Sequence, residues 1–236
     1  MDPSANQHPG KGLHIGHPWP LGASLTARGV NFSVVAPLAT RIELLLFSHG
    51  DATEADRIVE LDQRHRSGDH WHVEVEGLGL GSCYGYRVFG ALQPGGHGFN
   101  PSKVLLDPCA RAIAGWSGYG RGSAVGAAPN TSQCLKGVVT ERDRFDFHHA
   151  PRPRHSWQKS VIYELHVGGF TQGPGCPVAD EHQGRLLGLI PTLPYLRELG
   201  ITTIELLPVM AFDPHDAPAG RHNYWGYSPL SWMAPH

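Results

Sequence analysis

The sequence predicts an all-β module of sandwich type followed by an α/β segment built on parallel strands. Three observations carry this expectation. Apolar residues alternate with polar ones at Val30–Phe32–Val34, Trp71–Val73–Val75 and Tyr84–Tyr86–Val88, the period of half-buried strands. Turn formers are abundant, with 30 Gly and 20 Pro in 236 residues, about a fifth of the chain against a usual share near 12%. From Val161 to Leu207 a strand, a helix and a strand follow one another closely, the pattern of a crossover unit that needs a parallel sheet.

Taken in chain order, residues 1–12 are polar and read as a loose terminus. Val30 to Val34 is the first alternating run, and Pro37 stops it. Arg41 to Phe47 (RIELLLF) is a short apolar strand, and Asp51 to Asp56 a polar turn. Trp71 to Val75 and Tyr84 to Val88 are two further strands, separated by the glycines of Gly77 to Gly81. Short strands at regular spacing suggest a small β-sandwich over residues 14–113. Residues 114–156, with Gly115, Gly118, Gly120, Gly122 and Gly126 close together, read as an irregular connector carrying one strand near Gly137–Thr140.

The third region spans residues 157–236. Val161 to Val167 is a buried-strand candidate ended by Gly168–Gly169. Leu186, Leu189, Ile190, Leu193, Leu196 and Leu199 recur at helical spacing, with Pro191 and Pro194 setting the start near Pro191 or Thr192. Gly200 stands where a helix C-terminus favours glycine, and Ile201 to Leu207 is a second strand stopped by Pro208.

Composition excludes several function classes. Nineteen basic residues balance 21 acidic ones, net −2. The basic residues are scattered, so neither nucleic acid nor an anionic membrane is an expected partner. The longest apolar run lies within Leu206–Phe212 and contains Pro208, far short of a membrane span, and no signal-peptide core precedes the first strand. A cytoplasmic protein is expected. The cysteines Cys83, Cys109, Cys134 and Cys176 form no CxxC pair and are expected as reduced thiols. His70 and His72 would share one face of a strand, with His65 nearby and a His148–His149 doublet further on. None matches a metal-binding spacing, so solvent-facing polar residues are the preferred reading and no metal is expected.

The most specific motifs are VIYELHVGGFT (161–171), GITTIELLPVMAFD (200–213) and NYWGYSPLSWMAPH (223–236). Together they resemble the opening of the (β/α)8 barrel of the α-amylase superfamily, within its isoamylase and glycogen-debranching branch (glycoside hydrolase family 13). Upstream, PLGASLTARGVNFSVVAP (Pro20–Pro37), YGYRV (Tyr84–Val88) and FNPSKVLLDPCAR (Phe99–Arg111) resemble the glycogen-binding sandwich, carbohydrate-binding module 48, that precedes the barrel in those enzymes. The resemblance runs from about Gly16 to His236. It implies an immunoglobulin-like sandwich followed by strands 1 and 2 of an incomplete barrel. Gly98, where an arginine is common, and Gly184–Arg185–Leu186, where Gly-Thr-Tyr or Gly-Thr-Phe is common, depart from the family pattern.

NYWGY also speaks by chemistry. Three aromatic rings within four residues after a strand are unfavourable to expose without a use, and an aromatic face can stack on the apolar C–H face of a pyranose. Barrel sites form on the loops after strand C-terminal ends. By resemblance, Tyr227 stacks on the sugar beside the scissile bond, and Tyr224, Trp225 and Asn223 shape the same subsite. Asp213 and His166 are weaker candidates at its rim and mouth. The implied partner is a branched α-glucan: glycogen, amylopectin or limit dextrin.

Retaining hydrolysis of an α-1,6 branch point needs two carboxyl groups about 5 Å apart, and no cofactor. In the family these groups follow barrel strands beyond the second, and no DVVxNH-like third-strand motif is found here. The expectation is a piece of a debranching hydrolase with no catalytic residue of its own, inactive alone unless a second chain completes the barrel. Its alternatives are a non-catalytic glucan-binding module or an inactive remnant. Trp71, Tyr84 and Tyr86 are candidates for a glucan-binding surface on the sandwich, against core packing as the preferred reading.

Overall fold

The computed structural model describes residues 12–91, 98–141, 146–147, 150 and 152–236. The expected terminus up to residue 11 and the His148–His149 doublet lie outside the described residues. The chain divides into two compact units, Met1–Asp143 with Ser231–Pro235, and Arg144–Leu230 with His236.

The first unit is a sandwich of two antiparallel sheets. Its strands are β1 (Leu13–His14), β2 (Gly22–Leu25), β3 (Gly29–Val35), β4 (Arg41–Phe47), β5 (Arg57–Leu61), β6 (Arg66–Ser67), β7 (His70–Glu76), β8 (Cys83–Phe89), β9 (Ile113–Ala114) and β10 (Lys136–Val138). One sheet runs β1-β7-β3-β2 with β6 also on β7, and the other runs β5-β4-β8-β10-β9. The alternating runs read from sequence are β3, β7 and β8. The region expected as a connector adds β10, paired to β8 through Gly137↔Tyr84.

Between the sheets lie Val30, Phe32, Ile42, Leu44, Leu46, Val59, Leu61, Trp71, Val73, Val75, Tyr84, Tyr86 and Val88. Trp71, Tyr84 and Tyr86 are therefore core residues, which removes them as a glucan-binding surface. Trp71 donates its indole N–H to the Ala36 carbonyl at 3.0 Å, and Tyr84 packs edge-on to Phe32.

Both outer faces are covered as well. RIELLLF is continuously apolar because Leu45 and Phe47, on the far side of β4, pack with Ala52, Cys83, Val104 and Cys134. This is why its apolar run does not alternate. On the other sheet the outward residues Asn31, Ser33, His72 and Glu74 are polar yet buried. The strap preceding β2 lies over them. Asn31 accepts the His17 N–H at 2.8 Å and donates to the His17 carbonyl at 3.0 Å. Ser33 donates to the Pro18 carbonyl at 2.7 Å. His72 uses Nδ1 on the Ile15 carbonyl and Nε2 on Ser67 Oγ, each at 2.8 Å. The expectation that His72 faces solvent is corrected, since its ring is enclosed and both nitrogens are engaged. Each of these outward-facing polar groups thus has a partner, without which burial would be costly.

Glu74 anchors the opposite end of this face. Arg28 Nη2 donates to its carboxylate at 2.8 Å and Thr26 Oγ1 at 2.7 Å. The Arg28 bond first, then that of Thr26, bring its pKa from 4.5 down to about 2 against the opposing effect of burial. A carboxyl whose pKa is depressed on folding contributes stability above its unfolded value and loses it as pH falls through the folded one. The urea midpoint should therefore decline between about pH 4.5 and 2, and Arg28→Met should flatten that decline. A profile identical in the variant would remove Glu74 from the acid response. Because Arg28 is more than half exposed, salt weakens the effect.

The second unit holds a parallel pair, β11 (Ile162–Leu165) and β12 (Thr203–Leu206), in the register Ile162↔Thr203 to Leu165↔Leu206. Between them lie a helix α1 (Val167–Thr171), a 3-10 segment Leu186–Thr192 and a helix α2 (Leu193–Glu198). The leucine spacing is thus shared between a 3-10 segment and an α-helix, with Pro191 inside the former and Pro194 in the first turn of the latter. Gly200 closes α2 at φ 85°, with Ile201 N–H returning to the Leu196 carbonyl at 3.0 Å. The Gly168–Gly169 pair, expected to end a strand, instead lies inside α1.

Candidate functional site

The candidate site lies in the second unit, beyond the C-terminal ends of β11 and β12. His166 is the first residue after β11 and caps α1: its Nδ1 accepts the Gly169 N–H at 3.0 Å. An accepting Nδ1 leaves the neutral ring's proton on Nε2. Tyr224 stacks on the His166 ring with centroids 4.4 Å apart and planes at 29°. Trp225 stands edge-on to both, 5.8 Å from His166 and 5.2 Å from Tyr224. Three rings from two chain segments therefore form one cluster, in which Tyr224 and Trp225 are each 53% exposed.

Gly169 permits that cluster. A Cβ there would lie 2.6 Å from the Tyr224 hydroxyl. Sequence reading passed over this residue as a strand terminator. Its signal was a second glycine beside the first, which marks a close approach as readily as a turn.

The loop from Asp213 to Tyr227 is pinned from within. Asn223 Nδ2 donates to the Asp213 and Tyr227 carbonyls at 3.3 and 2.7 Å, and its Oδ1 accepts the Gly226 N–H at 3.2 Å. Asp213 is buried and accepts the His215 N–H at 2.8 Å. Asn223 and Asp213 thus shape the loop rather than present free polar groups. Tyr227 is 57% exposed. Its ring joins no ring contact among the described residues; Asn223 holds it only through its backbone.

The register places Glu164 directly opposite Glu205 on β11 and β12. The parallel ladder thus makes neighbours of two carboxylates that lie far apart in sequence. Both are exposed, and among the described residues neither side chain has a hydrogen-bond or ion-pair partner. No donor orients one as an acid and no wall desolvates it, the two conditions that separate an acid from a nucleophile. No group of three or more His, Cys, Asp or Glu side chains suited to a metal occurs among the described residues. Nor is any described helix long and apolar enough to cross a membrane.

Residues 20–110 match the family Carbohydrate-binding module 48 (Isoamylase N-terminal domain). The chain is 41% identical over 234 residues to a glycogen debranching enzyme of Erwinia tasmaniensis, covering 94% of this chain and 34% of that one. It spans about a third of the length of the curated relatives it matches. The apo pullulanase of Paenibacillus barengoltzii shares its fold with a TM-score of 0.68 at 22% identity, covering 94% of this chain and 32% of the other. A mutant of that pullulanase complexed with maltotriose gives 0.67 at 23% identity, over 92% of this chain and 32% of the other.

Proposed function

We propose that this chain is the front portion of a debranching hydrolase of the isoamylase type, acting on α-1,6 branch points of a glucan such as glycogen or amylopectin. In this reading the first unit is a glucan-associated sandwich and the second unit supplies strands 1 and 2 of a (β/α)8 barrel. The observation that carries it is the ring cluster of His166, Tyr224 and Trp225 at the C-terminal ends of parallel strands, in a chain so close in sequence to debranching enzymes. Ligands of α/β folds bind at that edge.

The residues divide the work by chemistry. Tyr227 and Trp225 offer exposed faces for pyranose rings. His166 presents an Nε2–H, and Tyr224 a hydroxyl, to sugar hydroxyls. Asn223 and Asp213 hold the loop that carries the aromatics. The retaining pair of carboxylates is not assigned to these residues, because Glu164 and Glu205 lack an environment that would distinguish them. Binding and positioning belong to this chain; bond cleavage requires carboxylates from elsewhere in the assembled barrel, whether from the same polypeptide or from a second one. Acting on a stored glucan goes with a cytoplasmic location, and no cofactor enters the chemistry.

The lone carboxylate pair favours a second reading, a glucan-binding piece with no hydrolytic partner. One experiment addresses both. The purified chain should bind maltoheptaose, and Tyr227→Ala and Trp225→Ala should each weaken binding roughly tenfold, the loss of one stacked ring. With amylopectin it should release no reducing ends. Release of linear chains would show a competent carboxylate pair here, and unchanged affinity in both variants would remove the ring cluster from glucan recognition.

A further inference from the structure

The second unit leaves one sheet face uncovered among its described residues. Its sheet is the pair β11–β12 alone, so within those residues both outer edges are unpaired. The register sets Ile162 beside Thr203 and Glu164 beside Glu205, and residues opposed in this way share one face. All four are exposed, Ile162 at 52%. The other face is occupied: Leu165 is buried, and Tyr163 lies edge-on to Phe170 of α1 with centroids 5.9 Å apart.

Two physical arguments say that the exposed face is incomplete. Parallel strands occur in sheets buried on both sides, and a lone strand pair is barely stable in water. Like charges set directly opposite each other also repel. Glu164 and Glu205 stand on adjacent strands, about 4.8 Å apart at the backbone, with no hydrogen-bond or ion-pair partner among the described residues. Whatever covers the face takes both carboxylates out of water. Two buried anions without a counter-charge are strongly unfavourable, so the cover has to bring a cation.

That requirement selects the occupant. A second copy of this chain would add the same carboxylates, and a purely apolar helix would leave them unmatched. A guanidinium suits the pair best, because its planar fork can donate to two carboxylates at once. This chain spans about a third of its curated relatives, so they contain enough polypeptide to supply the cover.

We propose that the face of β11 and β12 bearing Ile162, Thr203, Glu164 and Glu205 docks the remaining barrel strands of a debranching polypeptide, and that a cationic side chain of those strands lies across the two carboxylates. The proposal rests on the barrel reading above and adds the group that recognises the partner. Glu164 and Glu205 are then assembly residues. Ile162 becomes buried at the same contact, and the open edge of β12 offers backbone hydrogen bonds to the next strand.

The test co-expresses the tagged chain with the part of the Erwinia tasmaniensis enzyme that lies outside its match. Parent, Glu205→Gln and the double variant Glu164→Gln, Glu205→Gln are compared by co-purification and by debranching of amylopectin. In the free chain, amide hydrogen exchange in β11 and β12 reads local stability. The parent should form the complex, more weakly as salt rises. Glu205→Gln should weaken it about tenfold at low salt, and the double variant should lose the salt dependence. In the free chain the same Glu205→Gln should slow exchange in both strands about threefold, because one of two repelling charges is gone. These opposite signs separate a docking role from a merely structural one. A double variant that assembles like the parent at every salt concentration, or exchange that speeds up in Glu205→Gln, would overturn the proposal and leave the barrel reading standing. A parent chain that forms no complex and restores no debranching would overturn both.

Discussion

Replacing Trp71 by Ala should lower the stability of the sandwich by about 3–5 kcal/mol, the range for removing a large aromatic side chain from a packed core. Trp71 is fully enclosed. It sits at the middle of the sheet order, on β7 between β1 and β3. Val34 opposes it across the ladder. Its indole N–H satisfies the Ala36 carbonyl, and the Arg66 guanidinium lies 5.3 Å over its ring. The substitution removes the packed surface and one of the two hydrogen bonds that the Ala36 carbonyl accepts, the other coming from the Ala39 N–H. A domain of this size has roughly 5–15 kcal/mol in total, so the variant should be partly unfolded near physiological temperature. Trp71→Phe should lose less, because most of the volume remains. Chemical denaturation followed by circular dichroism measures both. A Trp71→Ala protein that unfolds like the parent yet no longer binds glycogen would return Trp71 to the surface role that its strand position also allowed.

Lys103→Met should cost about 3 kcal/mol and loosen one defined segment. Lys103 is buried, and its Nζ donates to the carbonyls of Ser123, Val125 and Ala128 at 2.7, 2.9 and 2.5 Å. Three converging carbonyls around an ammonium form a charge-assisted cradle. Removing the cation leaves them without a donor. Neighbouring bonds lace the same two stretches together. Asn100 donates to the Gly126 carbonyl at 3.1 Å, and Asn130 exchanges bonds with the Val104 backbone at 2.7 and 3.1 Å. Limited proteolysis should therefore open residues 121–129 in the variant well before the sheets unfold. Lys103→Arg should not restore protection, because a planar guanidinium cannot enter a cradle shaped for a compact ammonium. If Lys103→Met resists protease as the parent does, the cradle does not hold that segment.

The same bonds explain why FNPSKVLLDPCAR looks so deliberate as a motif. Asn100, Lys103 and Asp107 act on structure. Asp107 is buried, accepts the Tyr84 hydroxyl and the Cys109 N–H at 2.8 Å each, and has its pKa raised chiefly by burial. The string marked a place in the chain correctly, but its polar residues serve the sandwich and not the sugar.

The site divides in the same way. NYWGY was legible as a set of rings needing a use, because composition alone makes such a cluster unusual. Its alliance with His166 was not, since the two segments are far apart in sequence and no local period joins them. Gly169 was misread for the same reason: the atom that excludes a Cβ there belongs to Tyr224.

Local rules in the chain were enough to reveal the three alternating strands, the crossover unit, its closing glycine at position 200 and the apolar side of each sheet. Hydrophobic period reports which side of an element turns away from water, and turn residues report where it stops. Neither says what covers the other side. Packing in three dimensions decided that Asn31, Ser33, His72 and Glu74 would be enclosed beneath a polar clasp, that Glu164 would face Glu205, and that one indole would stay in water while another filled the core. Those outcomes depend on partners brought together by folding, and a linear pattern holds no record of them.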